Sequence, residues 1–162
     1  MSPTPQETQE TDEAIYFQDP LALLHYLYDD LRRFSKVVSA DIVLHPFYSH
    51  SASIYGIAAV QAWEEALVAA TDCTLSMDVG SISFDGDYAT VDGVLRARKK
   101  GLEDLEVGFR GRWRFAEGVP VEHWENVLGG AKGATVKWFE DAGWKCPGVG
   151  SGVSGMGDTC TP

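Results

Sequence analysis

Positive charge is scarce in this sequence: 13 Lys and Arg stand against 24 Asp and Glu, a formal net charge of −11 with a pI near 4.6. Such a field repels phosphate backbones and anionic lipid surfaces, so neither nucleic acid nor a membrane surface is an expected partner. No apolar run approaches the roughly 20 residues needed to cross a bilayer. Cysteine is scarce: Cys73, Cys146 and Cys160 make an odd count without a CxxC pair, and no disulfide scaffold is needed to explain the chain. The N-terminal stretch MSPTPQETQETDEA is polar and acidic, without the pattern of a secretory leader, so a cytoplasmic chain with reduced thiols is expected. Cys146 and Cys160 flank a glycine-rich tail and read as two free thiols that oxidation could join. There is no glycine-rich phosphate loop, nucleophile elbow or Cys–His signature, and no cofactor is expected. The spacing of His45, His50 and Asp41 across Pro46 fits no metal motif, so no metal is expected either.

What the chain does have is the material of one globular domain. It has 162 residues, of which 44% are apolar, enough for a single core. Residues 1–17 read as a disordered arm, 18–145 as the domain, and 146–162 as a flexible Gly-rich tail. Asp19-Pro20 is a helix start with a capping carboxylate and a proline in the first turn. Apolar residues then follow at helical spacing to Val38, in one helix or in two broken near Asp29-Asp30. Residues 40–47 read as a short strand. A second helix begins near Gly56, with Ile57, Val60, Trp63, Leu67 and Ala70 as its apolar stripe. Four strands follow, at about 74–84, 88–99, 105–116 and 119–128, joined by turns such as Asp85-Gly86-Asp87 and Glu117-Gly118. A last helix at 132–142 stops at Gly143. Helices segregated from a strand meander indicate α+β: a cone-shaped, curved antiparallel sheet, with N-terminal helices covering one face and enclosing a pocket.

Strand alternation says which side chains face that pocket. In 105–116, Leu105, Val107, Phe109, Gly111, Trp113 and Phe115 share one face, and Arg110, Arg112 and Arg114 share the other. Burying three adjacent arginines is far too costly, so the aromatic face is the inner one. The arginine row becomes an outer fence meeting Glu106 and Glu122. In 88–99, Ala89, Val91, Gly93, Leu95 and Ala97 face inward, and small residues beside Phe109 and Trp113 suggest space for a ligand. On the last strand Val119, Val121, His123, Glu125 and Val127 share the inner face. His123 and Glu125 are thus two ionisable groups on one apolar wall, where burial raises a carboxyl pKa and a neighbouring carboxylate favours charged imidazole. His45 is a further candidate pocket base, though alternation around it is inconclusive. Tyr28, Tyr48, Tyr55 and Trp63 are candidate lining residues. Trp124, alone on the outer face, suggests a homodimer through that face.

The segment from Gly111 to Val127, GRWRFAEGVPVEHWENV, resembles the closing hairpin of SnoaL-like proteins of the nuclear-transport-factor-2-like superfamily. The pattern is a strand, an acidic-Gly turn, then apolar-Glu-His-Trp-acid, with Glu125 where relatives have Asp. ADIVLHP and GIAAVQAW fit the same family, and the resemblance covers about residues 18–130. It implies the cone fold, and it implies polyketide cyclase, ketosteroid isomerase-like, epoxide hydrolase-like or dehydratase chemistry, or a non-catalytic ligand-binding or dimerisation domain. In the cyclase branch an acid on the last strand moves the proton, which maps onto Glu125. In the isomerase branch the base precedes a proline after the first strand, which maps onto His45, and a helix tyrosine holds the oxyanion, which maps near Tyr26. The expected activity is therefore a cofactor-independent cyclisation, isomerisation or dehydration of a small hydrophobic cyclic metabolite, such as a polyketide or terpenoid intermediate. His123, Glu125 and His45 would be its catalytic groups, with Tyr26 or Tyr55 at the oxyanion and Tyr28, Trp63, Phe109 and Trp113 lining the site.

Overall fold

A computed structural model describes residues 17–48 and 52–145. His50, Cys146, Cys160 and nearly all of the expected arm and tail lie outside the described residues.

The chain enters through α1 (Pro20–Asp29). Asp19 caps it by accepting a hydrogen bond from the Leu21 amide at 3.0 Å, and Pro20 occupies the first turn. The helix breaks at Asp30, as the sequence suggests. Asp30 is extended, and its carboxylate accepts from the Arg32 amide and guanidinium, starting a 3-10 turn (Leu31–Arg33) that runs into α2 (Phe34–Val37). A short strand β1 (Val43–His45) and a two-residue β2 (Ile54–Tyr55), not expected from the sequence, precede α3 (Ile57–Ala70). Then come β3 (Ser76–Asp85), β4 (Tyr88–Ala97), β5 (Leu105–Ala116), β6 (Val119–Val127) and α4 (Lys132–Asp141). Among the described residues no helix is long and apolar enough to cross a membrane.

The strands form one curved, mixed sheet in the order β2-β1-β6-β5-β4-β3, open at both edges. All pairings are antiparallel except β1 with β6, which run parallel with Leu44 opposite His123 and His45 opposite Trp124. That one parallel pairing departs from the expected all-antiparallel sheet, and it orients His45. The inner face of β4 and β5 is as alternation requires: Ala89, Val91, Leu95, Val107, Phe109, Trp113 and Phe115 are buried against α1, α2 and α3.

On β6 the alternation holds over only part of the strand. Arg114 pairs with Glu122 but Phe115 pairs with Pro120, so Val121 is an extra residue in a β-bulge. The bulge reverses the faces at the strand's start. Pro120 is therefore buried opposite Phe115, and Val119 loses the inward place alternation gives it. Beyond the bulge, His123 opposes Trp113, Glu125 opposes Gly111 and Val127 opposes Phe109, all on the inner face.

The outer face carries the arginine fence. Arg110 makes a two-pronged bond to Asp92 at 2.7 and 2.9 Å, Arg114 reaches Glu122 at 3.1 Å, and Arg96 bridges Glu106 and Asp78. These pairs are solvated and are worth about 0–1 kcal/mol each. Arg112 instead lies 4.4 Å over the Tyr88 ring. Trp124 is not alone there: His45 stacks on it at 5.2 Å and Tyr88 lies 6.3 Å away. The lone tryptophan that motivates a homodimer through this face is thus already covered within the chain. Cys73 departs from the reduced state expected of it, because it is disulfide-bonded.

Candidate functional site

Between the inner sheet face and the helices lies a pocket walled by Tyr28, Phe34, Phe47, Phe109, Trp113 and Phe139. Its polar side chains are Glu64 from α3, His123, Glu125 and Asn126 from β6, the Tyr28 phenol from α1 and Arg110 from β5. The space open to the centre of a water molecule is about 50 Å³, room for about three to five waters at ~10–15 Å³ each. Gly93, one of the small residues expected to leave room, does not leave it, and Gly111 on β5 is filled likewise. A Cβ on Gly93 would stand 2.1 Å from the Asp78 carbonyl oxygen and 2.8 Å from Phe109 Cε1. One on Gly111 would stand 2.2 Å from the Tyr28 hydroxyl and 3.2 Å from His123 Cε1. Neighbouring groups fill what those glycines vacate.

Glu64 is the residue that the sequence reading misses. It is 2% exposed and sits one turn after Val60 and one turn before Leu67, on the helix face that packs inward. An acid on a core stripe is the available signal, because a carboxyl rarely occupies such a position without a partner or a task. Burial pushes the Glu64 carboxyl well above the ordinary range, and Glu125 pushes it further by its charge and by a shared hydrogen bond. Burial also raises Glu125, opposed by hydrogen bonding to Glu64 and by the Phe47 amide, a long donor at 3.5 Å. The Trp63 indole N–H favours charged Glu125 as well, but without full hydrogen-bond geometry, since Trp63 Nε1 is buried and unpartnered. Glu125 is half-buried and keeps accessible surface where it lines the pocket. With burial raising both carboxyls and each acting on the other, the pair favours holding a proton.

His123 is 4% exposed and stacked on Trp113, with ring centroids 3.6 Å apart. Its Nδ1 donates to the Arg112 carbonyl at 3.0 Å, so Nε2 of the neutral ring is an acceptor, and it has no partner among the described residues. Burial lowers its pKa to about 3, overcoming the help of that carbonyl. The sequence expectation that Glu125 holds it charged is thereby corrected: desolvation wins, and the carboxylate is not among the groups acting on it. Tyr28 accepts a hydrogen bond from Trp113 Nε1 at 3.0 Å and stacks on Phe109 at 5.7 Å. Burial first, then the Glu125 and Glu64 charges, raises the phenol, opposed by Trp113. It stays protonated and can donate.

Four expected site residues, His45, Tyr26, Tyr55 and Trp63, do not line this pocket. His45 lies on the outer face, with Nε2 2.7 Å from Glu122 Oε2 and Nδ1 2.8 Å from Ser53 Oγ. The parallel register puts Leu44 inside, so its neighbour points out. Tyr26 packs against Phe17 at 5.2 Å and beneath Arg33 at 4.3 Å, outside the pocket. Tyr55 is 72% exposed on the edge strand. Trp63 is fully buried behind Glu125, in a cluster with Phe47 and Trp144, and Tyr48 joins the rim of that cluster. Among the described residues no three His, Cys, Asp or Glu side chains are grouped to hold a metal.

No family model matches the sequence, and no curated protein matches it. Solved structures do. One is described as a SnoaL-like polyketide cyclase from Jannaschia sp. CCS1, at 14% identity over 67% of this chain and 84% of that one, with a TM-score of 0.58. A cystatin-like-fold protein of unknown function from Xanthomonas campestris matches at 16% identity over 78% and 98%, with a TM-score of 0.62. A ketosteroid isomerase-like-fold protein from Catenulispora acidiphila, solved with trimethylamine, matches at 14% identity over 68% and 85%, with a TM-score of 0.54. At such identities the likeness is one of fold, and the fold of this chain is the SnoaL-like, nuclear-transport-factor-2-like cone.

Proposed function

We propose that this protein is a cofactor-independent acid–base enzyme that cyclises, isomerises or dehydrates a small hydrophobic metabolite next to a carbonyl. The observation that carries this reading is the Glu64–Glu125 pair, two carboxyls raised by burial and sharing one apolar pocket. A carboxyl whose pKa is raised toward neutrality is matched to proton transfer at physiological pH. Glu125 takes the proton from the carbon beside the carbonyl, and Glu64 tunes it by sharing a proton. Tyr28 donates to the developing oxyanion, its own oxygen already fixed by Trp113. His123 holds substrate as a neutral acceptor through Nε2, because an imidazole with a pKa of about 3 is too weak a base for the transfer. The SnoaL-like fold supports the reaction class, since proteins of this fold include one described as a polyketide cyclase.

The test needs no knowledge of the natural substrate. Deuterium exchange at the α-carbon of a panel of small cyclic ketones is followed by proton NMR. Glu125→Gln is expected to slow enzyme-catalysed exchange by about 10²–10⁴-fold, the range of a lost general base, with an unchanged circular dichroism spectrum. Equal rates in both proteins would remove Glu125 from the mechanism. The small cavity, about 50 Å³, favours one second reading: a non-catalytic pocket that holds a few-atom ligand. It predicts binding that survives His123→Ala and no exchange in any variant.

A further inference from the structure

Among the described residues the pocket's carboxyls have no cationic counterpart. Glu64 and Glu125 face the pocket from α3 and β6, and no cationic side chain is among the groups acting on either carboxyl. Arg110, at the pocket's edge, directs its guanidinium away to Asp92. His123, more than nine-tenths buried on the same wall, offers an acceptor nitrogen with no donor among the described residues. The remaining titratable group, Tyr28, is a neutral phenol. Around these acceptors stand aromatic rings, Phe34, Phe47, Phe109, Trp113 and Phe139, whose faces carry the negative end of their quadrupoles.

Each feature asks for the same ligand. A neutral hydrophobic molecule suits the rings but supplies no N–H donor to the His123 acceptor nitrogen and no positive charge to the carboxyl pair. An anion would meet two acids. A small cation with N–H donors answers all three: carboxylate oxygens and Nε2 accept from it, and its alkyl groups lie against ring faces that attract positive charge. The tight volume limits it to a few heavy atoms beyond the charged centre.

We propose that the pocket binds a small protonated alkylamine, with its ammonium N–H groups on the Glu64–Glu125 pair and His123 Nε2 and its alkyl part against the aromatic wall. This rests on the reading of the pocket as the functional site and adds the charge of its ligand. Entry of the cation favours the charged form of the raised carboxyl pair, so binding is expected to release protons.

The test is calorimetric titration of the full chain with isopropylammonium chloride and with isopropanol, a neutral molecule of the same shape, at constant ionic strength. Isopropylammonium is expected to bind at least about tenfold more tightly. Its heat should vary with the ionisation enthalpy of the buffer, reporting proton release. Glu64→Gln and Glu125→Gln, each checked for an unchanged fold, should weaken the amine about tenfold and leave isopropanol unaffected. Isopropanol binding as tightly as the amine, or no heat and no thermal shift from the amine, would overturn the proposal. If the amine fails to bind while Glu125-dependent exchange persists, the ligand class falls and the catalytic reading stands. If the amine binds and no exchange occurs, the reverse holds.

Discussion

Gly111→Ala is expected to be the most damaging single-methyl addition on the inner face of β5. The new Cβ would stand 2.2 Å from the Tyr28 hydroxyl, 3.2 Å from His123 Cε1 and 3.5 Å from Trp113 Nε1. An ordinary contact needs the hydroxyl to retreat by about 1 Å. Its ring is stacked on Phe109 and set edge-on to Trp113, so it cannot simply swing aside. Forcing a methyl into a packed core costs about 1–3 kcal/mol. Losing the Trp113 Nε1 bond leaves a buried N–H unpaired for about 1–3 kcal/mol more. The stiffer unfolded chain returns about 0.4–1 kcal/mol. The net destabilisation is about 1–5.5 kcal/mol, which lowers the urea midpoint by about 0.5–2.8 M at a typical slope of ~2 kcal/mol/M. Gly108→Ala, three residues earlier in the same strand, is the control. There the nearest atoms are Leu128 Cβ at 3.6 Å and Leu128 Cδ1 at 3.8 Å, so the smaller unfolded-state entropy dominates and stability is expected to rise by about 0.4–1 kcal/mol. If the two variants shift the midpoint alike, or Gly111→Ala leaves it in place, the close approach of Tyr28 is not what requires glycine at this position.

Other consequences follow from the same geometry. His45→Ala should change the exchange rate by less than about twofold, since the imidazole is on the far side of the sheet; a loss of the 10²-fold order would return it to the mechanism. Tyr28→Phe should slow exchange by at least about tenfold and cost about 1–3 kcal/mol in urea unfolding, because Trp113 Nε1 loses its acceptor; a variant equal to the parent in both would refute the oxyanion role. Glu64 is raised above its unfolded value of 4.5, so its contribution to stability is complete below that pH and is lost as pH rises through the folded value. Glu64→Gln should therefore stabilise increasingly from pH 5 to pH 8, read as a growing gain in melting temperature over the parent; a gain that is flat with pH would show Glu64 to be ordinary. Glu122 works in the opposite direction: the His45 hydrogen bond, then Arg114, lowers its pKa. Its stabilisation is present above the unfolded value and is lost as pH falls through the folded one, so Glu122→Gln should flatten the acid limb of the stability curve.

Strand alternation, end signals and charge carry much of this protein in one dimension. A row of arginines between apolar residues determines which face of β5 is inner, because no core accommodates three unpaired guanidinium groups. The antiparallel partner then inherits its direction, and His123 and Glu125 follow. Asp19-Pro20 and Asp30 mark the helix start and break by local capping, which needs no distant residue. What the sequence could not determine depends on contacts between segments remote in the chain. The parallel register of β1 on β6 sends His45 outward and Leu44 inward, and nothing in ADIVLHP specifies that partner. The bulge at Val121 turns Pro120 in, a local slip that period-two reasoning passes over. Gly93, read as space, becomes the opposite once Phe109 of the next strand fills it. Above all, the pairing of Glu64 with Glu125 exists only after α3 lies across β6, since two carboxyls 61 positions apart acquire a shared proton only when burial removes the water between them.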